Sequence, residues 1–259
     1  MAAKQLTLGY WAIKGLGAPL RMMCMHANEP FKADLCECTE NSDGGWNREC
    51  WTELAKPALK AQNPLINLPY LVDSDGTVVS QSNACFLYLG RKLGMLGDGS
   101  AAELSMCEQL LCEVLDLRNS LVGYAYSPRG ASAEKTSEFF SSTHYVLDKL
   151  ELVCKASTSF PFLVGSKASA PDFHLWEMLD QLYRIAAFHS LASPVESFPR
   201  LSQFHKDFAA LPANARYLAS PLHCDLPMNN PMASVGAVPS GGAWVPGQQF
   251  TWAGKSGVY

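Results

Sequence analysis

The sequence predicts a small α/β layer followed by an all-helical domain. Up to about residue 97, short segments of period two alternate with helical segments in the order β-α-β, then β-β-α. From Ala101 onward, apolar residues recur at helical spacing over 101–124, 134–154, 171–187 and 199–210, with no strand candidate between them. Gly97-Asp98-Gly99 marks the change of pattern. The expected domains are therefore 1–97 and 98–227, with a separate tail at 228–259.

The first strand is read from the alternation in residues 4–10, and Gly15 and Gly17 break it before a helix. Pro19 pre-sets that helix's first turn, and Leu20, Met23, Cys24 and Ala27 share one face up to Asn28. A second strand follows at Phe31 to Cys38. Residues Thr39 to Asn67 have no clean period and are rich in Asn, Gly, Trp and Pro, the profile of a binding loop. Leu68 to Asp73 and Val78 to Ser80, joined through Ser-Asp-Gly, read as a hairpin. Gln81-Ser82-Asn83 caps a helix that runs to about Leu93 and is closed by Gly94. In the helical half, Ser169-Ala-Pro-Asp172 is a capping box with a carboxylate in the place of the usual Glu.

The tail holds six Gly and three Pro in 32 residues and one charge, Lys255, so neither helix nor strand is expected there. Its aromatics Trp244, Phe250, Trp252 and Tyr259 are unlike a solvating tail and fit a segment that docks on its own body or on another protein.

Composition removes several classes of function. The 259 residues carry a net charge of −4, which lacks the positive field of a nucleic-acid binder. No run of 18 apolar residues and no signal-like start are seen, so a cytoplasmic chain without a membrane span is expected. Charged residues make up only 17%, against about 25% on average, which fits either an unusually apolar surface or one partly covered by partners. The nine cysteines lack a disulfide framework, and no Cys-x-x-Cys or scattered-histidine spacing suits a metal. Cys36 and Cys38, one residue apart, read as packing or exposed side chains.

The chemistry concentrates in the first domain. A proline opening a strand beside a binding loop, Leu68-Pro69, is a place where a cis peptide is kept. Gln81 and Ser82 open a helix whose first N–H groups suit a carboxylate. Tyr10 ends a strand where its phenol can donate to an anion, although alone it also reads as an aromatic packing on the core.

Leu8-Gly-Tyr-Trp-Ala-Ile-Lys-Gly-Leu16, Asn67-Leu-Pro-Tyr-Leu-Val-Asp73 and Ser80-Gln-Ser-Asn-Ala84 resemble the mu-class glutathione transferases. The likeness continues in Tyr124-Ala-Tyr-Ser-Pro128, Phe162-Leu-Val-Gly165 and Phe198-Pro-Arg-Leu201, covering roughly 4–227. It implies a thioredoxin-like N-terminal domain that holds glutathione as co-substrate, and a helical domain that completes a pocket for an electrophile. The activity implied is a detoxifying alkyl or aryl transfer by a cytoplasmic homodimer. Tyr10 then matches the tyrosine that stabilises the glutathione thiolate. Trp11, Asn67, Leu68, Gln81 and Ser82 match residues around the tripeptide, with Gln81 and Ser82 at the γ-glutamyl end and Leu68 pairing through its backbone. Tyr126 matches a tyrosine facing the co-substrate, a position that packing alone would also explain. Asp116, ten residues earlier, matches an aspartate that reaches the partner subunit's glutathione.

The physics supports the role given to Tyr10. A thiol of pKa about 8.5 is only about 3% ionised at pH 7, and the thiolate is the nucleophile. A hydrogen bond to a charged acceptor contributes about 1.5–3 kcal/mol, enough to lower that pKa by about one to two.

Departures from the family pattern cluster in the long loop and the first motif. The resemblance implies a tryptophan and a lysine at the glutathione site before Asn67: Trp51, sixteen residues ahead of it and so at a longer interval than the family's, is the expected tryptophan, and Lys56, with Lys60 as the other choice, is the expected partner of the glycine carboxylate. The family's Asp and Arg of the first motif are Ala12 and Lys14 here, and its Phe-Pro before Asn67 is Leu65-Ile66, which alters the usual dimer plug. These changes and the tail support a second reading, a non-catalytic glutathione-transferase-like structural subunit of a larger assembly.

Overall fold

The structure is a computed structural model and describes residues 5–128, 130–243 and 257–259. Trp244, Phe250 and Trp252 lie outside the described residues; Tyr259 lies within them.

Strands β1 (Leu6–Trp11) and β2 (Phe31–Cys36) pair in parallel across α1 (Gly17–His26), the right geometry for a β-α-β unit. Two very short strands follow, β3 (Thr39–Glu40) and β4 (Trp46–Asn47), then a π-helical turn at Cys50–Ala55 and α2 (Lys56–Lys60). Strands β5 (Tyr70–Val72) and β6 (Val78–Ser80) form the expected antiparallel hairpin, and β5 pairs antiparallel with β1. Helix α3 (Ser82–Leu93) ends at Gly94, whose φ of 67° is the left-handed closure read from the sequence.

Helices α4 (Ala101–Ala125), α5 (Ala133–Ala156), α6 (Ala170–His189) and α7 (Pro199–Ala209) form the helical domain, close to their expected bounds. Two single turns, α8 (Ala215–Leu218) and α9 (Pro221–Cys224), lead into the tail. Helix α6 is buried along most of its length and packs against α4 and α1, so one apolar core runs through both domains. Its N-terminus is fixed by the capping box: Asp172 accepts from the Ser169 and Leu163 N–H groups at 2.7 and 2.9 Å.

Two expectations are corrected. The stretch from 39 to 67 is not a plain loop, since it holds β3, β4, the π-helical turn and α2, elements too short to show a period. The tail does contain a strand, β7 (Gly257–Val258), which pairs antiparallel with Lys32 and Ala33 of β2 and completes the order β6-β5-β1-β2-β7. Tyr259 then stacks on Phe31, centroids 5.8 Å apart. Backbone pairing with an existing edge needs no side-chain pattern, which is why composition concealed it.

The nine cysteines carry free thiols. Among the described residues no helix is long and apolar enough to cross a membrane, and no group of three or more His, Cys, Asp or Glu is arranged to hold a metal.

Candidate active site

Tyr10 sits near the end of β1 with its ring laid over Gly15 and Gly17. A Cβ at Gly15 would stand 2.7 Å from the Tyr10 ring and 2.8 Å from its hydroxyl, and one at Gly17 would stand 2.8 Å from the ring. Only glycine allows this approach, and Gly15 also has a φ of +39°. The loop that carries these glycines is pinned from below. Arg21, fully buried in α1, donates to the Ile13 and Trp11 carbonyls at 3.0 and 3.3 Å.

Lys14, the departure from the family motif, has a structural role. It is 1% exposed and reaches Asp180 of α6 at 3.8 Å and the His223 Nδ1 of α9 at 3.3 Å. Burial lowers the Lys14 pKa and, together with Lys14 itself, presses the His223 imidazole down to about 3. Asp180 is held well below the carboxylate range: burial opposes this, but His205, Lys14 and Arg184 outweigh it. The loop beneath Tyr10 is thus tied to both the helical domain and the start of the tail.

Tyr10 faces a cavity of about 220 Å³ bounded by Trp11, Tyr126, Met178, Gln181 and Asn229, among others. Among the described residues no hydrogen-bond partner occupies the Tyr10 hydroxyl. Tyr126, at the end of α4, accepts the Asn230 N–H at 2.8 Å, and burial raises its pKa to about 12, so its hydroxyl stays protonated. The structure therefore brings Tyr10, Trp11 and Tyr126 to one cavity.

The other expected residues lie outside that cavity's lining, with Leu68 packed against the Tyr10 cluster. The Leu68–Pro69 bond is cis, as expected, and so is Phe160–Pro161, which the sequence reading did not anticipate. The Ser80 hydroxyl binds the Asn67 N–H at 2.8 Å and donates to its carbonyl at 3.1 Å. The Leu68 N–H is taken by the Asn67 Oδ1 at 3.0 Å, so a ligand pairing there displaces that side chain. Gln81 is exposed and has φ 76° and ψ 129°, a strained conformation for a residue with a side chain, held at the mouth of α3. Ser82 is buried beside it.

Trp51 is 4% exposed and stacks on Tyr70 with centroids 5.9 Å apart, inside a second small core with Cys36 and Ile66. Lys56 lies over the Trp51 ring at 5.9 Å, whereas Lys60 is exposed. Asp116 is exposed on α4, away from the Tyr10 cavity. Leu65, at the family's plug position, is 73% exposed while Ile66 is buried. A roomier groove of about 1040 Å³, between the end of α3 and residues 158–167, holds none of the expected site residues.

Two family models match this chain: the glutathione S-transferase N-terminal domain at residues 18–92 and the glutathione S-transferase C-terminal domain at 115–221. Glutathione S-transferase Mu 1 of Oryctolagus cuniculus is 30% identical over 218 residues, covering 83% of this chain and 91% of the relative. The chain belongs to the glutathione S-transferase family. Human glutathione S-transferase Mu 3 is 28% identical, covering 90% of this chain and 96% of its own length. The crystal structure of the glutathione S-transferase Blo t 8 superposes with a TM-score of 0.72 at 27% identity, covering 89% of this chain and 99% of that one. The fold is that of the family, a thioredoxin-like domain followed by an all-helical one.

The sequence reading missed Arg118, Gln181, Asn229 and Asn230, which all line the cavity. Arg118 and Val122 were recoverable, since they precede Tyr126 by two helical turns and one. The asparagines were not, because they meet the cavity only through the path of the tail.

Proposed function

We propose that this protein conjugates reduced glutathione to electrophilic small molecules through a thiolate stabilised by Tyr10. The observation that carries this reading is the Tyr10 hydroxyl, which makes no hydrogen bond among the described residues, on the wall of a cavity shared by both domains. In this reading Gln81 and Ser82 receive the γ-glutamyl end at the start of α3, where N–H groups and the helix dipole favour a carboxylate. Asn67, the Leu68 backbone and Trp11 line the middle of the tripeptide. Lys56 meets the glycine carboxylate from its place over Trp51, which holds that corner of the site by packing. Tyr126 faces the acceptor, and Asp116 serves a second subunit's glutathione across a homodimer.

The reaction balances without a cofactor. The thiol proton leaves to solvent as Tyr10 donates to the sulfur, and the sulfur lone pair forms a C–S bond to the acceptor carbon. The leaving group departs with its bonding pair; on a conjugated alkene, the π pair moves to the activating group and the adjacent carbon takes up a proton. The transferase assignment covers the pieces 1–97 and 98–227 as glutathione and acceptor domains. Both described parts of the tail, 228–243 and 257–259, dock on their own body: Gly15 N–H binds the Met228 carbonyl at 3.2 Å, Ser234 N–H binds the Ala125 carbonyl at 2.7 Å, and β7 pairs with β2. That self-docking favours the enzyme over an assembly subunit.

The test is calorimetric binding of glutathione together with turnover of a chloro-nitroaromatic electrophile, in wild type and Tyr10→Phe. Binding by both, with turnover falling about 10- to 100-fold in the variant, is the expected result. Binding without turnover in wild type would contradict it and leave a glutathione-holding scaffold.

A further inference from the structure

We propose that the acceptor of this site is a compact electrophile carrying a carboxylate, selected for size by the 227–243 segment and for charge by Arg118. The inference rests on the transferase reading and names its substrate class.

Size is set by a wall that is tied down at both ends. Pro227 accepts from the Lys14 N–H at 2.7 Å and Met228 from the Gly15 N–H at 3.2 Å, which joins the segment to the Tyr10 loop. On the opposite side the Asn230 N–H binds Tyr126, and the Ser234 N–H and hydroxyl bind the Ala125 and Ser127 carbonyls at 2.7 and 3.1 Å. Met228 and Asn229 are each 3% exposed, so the wall is packed as well as bonded. The cavity it leaves, about 220 Å³, is below the roughly 300–1,000 Å³ of sites for drug-sized ligands. At ~30 Å³ per water it has room for about seven waters.

Charge is set by one residue. Among the described residues lining the cavity, Arg118 is the sole ionised side chain, and Tyr10, Tyr126, Gln181, Asn229 and Asn230 are the neutral polar ones. Its hydrogen bond goes to the neutral Asn119 Oδ1 at 3.2 Å, and no ion pair forms to it among the described residues. Its positive field reaches Tyr126 and the deeply buried His174. A guanidinium half-buried beside a small pocket, without a carboxylate partner, matches a planar anion through paired N–H donors. The glutathione carboxylates belong at Gln81 and Lys56 in the reading above, which leaves Arg118 for the acceptor.

A conjugated enone bearing a carboxylate meets both conditions. The glutathione sulfur adds to the alkene carbon, the π pair moves to the ketone oxygen as an enolate, and the enolate carbon takes up a proton; nothing leaves.

The experiment compares β-acetylacrylate with its methyl ester, as enzymatic kcat/KM after subtraction of the uncatalysed rate, with a chloro-nitroaromatic as a reference acceptor. Wild type is expected to favour the acid over the ester at least tenfold. Arg118→Met brings that ratio to about one, and Arg118→Lys restores part of it. Shortening the chain to end at Pro227 admits bulkier acids that wild type rejects. Equal kcat/KM for acid and ester in wild type, or a ratio that Arg118→Met leaves unchanged, overturns the charge assignment. Turnover of the aromatic reference without turnover of the acid leaves the transferase reading standing and removes this one. Silence toward all three acceptors removes both.

Discussion

The two halves of the cleft are built differently. In the proposed reading the glutathione half draws on residues 10–17, 51–56 and 67–82, whose positions follow from local turns: a strand end closed by Gly15 and Gly17, a cis proline, and a helix start. The cavity proposed for the acceptor joins Arg118 and Tyr126 at the end of α4, Met178 and Gln181 of α6, and Asn229 and Asn230 of the tail. Its parts are far apart in the chain and meet only after the helices pack. Local turns thus specify the half proposed to hold glutathione, and tertiary packing shapes the half proposed to take the acceptor.

The largest expected effect breaks the glutathione half. Gly15→Ala forces a Cβ into the Tyr10 ring at a residue with φ +39°, which costs about 1–2 kcal/mol of backbone strain and displaces the phenol. Turnover should fall at least tenfold, about 1.4 kcal/mol in the barrier, measured as kcat at saturating glutathione. Survival of full kcat would show that Tyr10 does not need its glycine seat.

A pH-dependent effect on stability, about as large for each pH unit, tests the seam between the halves. His174 of α6 is fully buried against Phe86 of α3, centroids 4.8 Å apart, with neither ring nitrogen hydrogen-bonded among the described residues. Burial, then the charge of Arg118, holds its pKa down at about 3, against about 6.5 when unfolded. Between those values the unfolded chain binds the extra proton, so this contribution to stability is present above about pH 6.5 and is lost as pH falls toward 3. Urea melts of wild type and His174→Phe should diverge below pH 6.5 by up to about 1.4 kcal/mol per pH unit, with the variant more stable. Parallel curves would mean that water reaches the imidazole.

The smallest effect sharpens the comparison. Gln81 holds φ 76° with a side chain attached, a conformation glycine adopts readily. Gln81→Gly should raise stability by up to about 1 kcal/mol while weakening glutathione binding several-fold. Loss of both would place the strain elsewhere.

Legibility followed the same division. The strand-turn-helix segments, the Ser169 capping box and the long helices were visible because a period or a cap marks each within a few residues. Strand β7 was hidden because Gly257 and Val258 owe their pairing to the free edge of β2, at the other end of the chain. Lys14 stood out only as a departure; its burial against Asp180 and His223 depends on α6 and α9 meeting below the Tyr10 loop. Trp51 was read as a ligand contact, and its stacking on Tyr70 shows how much of that corner is packing.

The central claim is that the Tyr10 phenol stabilises the glutathione thiolate, and the most direct measurement is the ultraviolet thiolate absorbance of bound glutathione titrated against pH. Wild type should ionise the bound thiol about one to two pH units below the free value of about 8.5, and Tyr10→Phe should return it toward that value. Identical titrations in the two proteins would contradict the account.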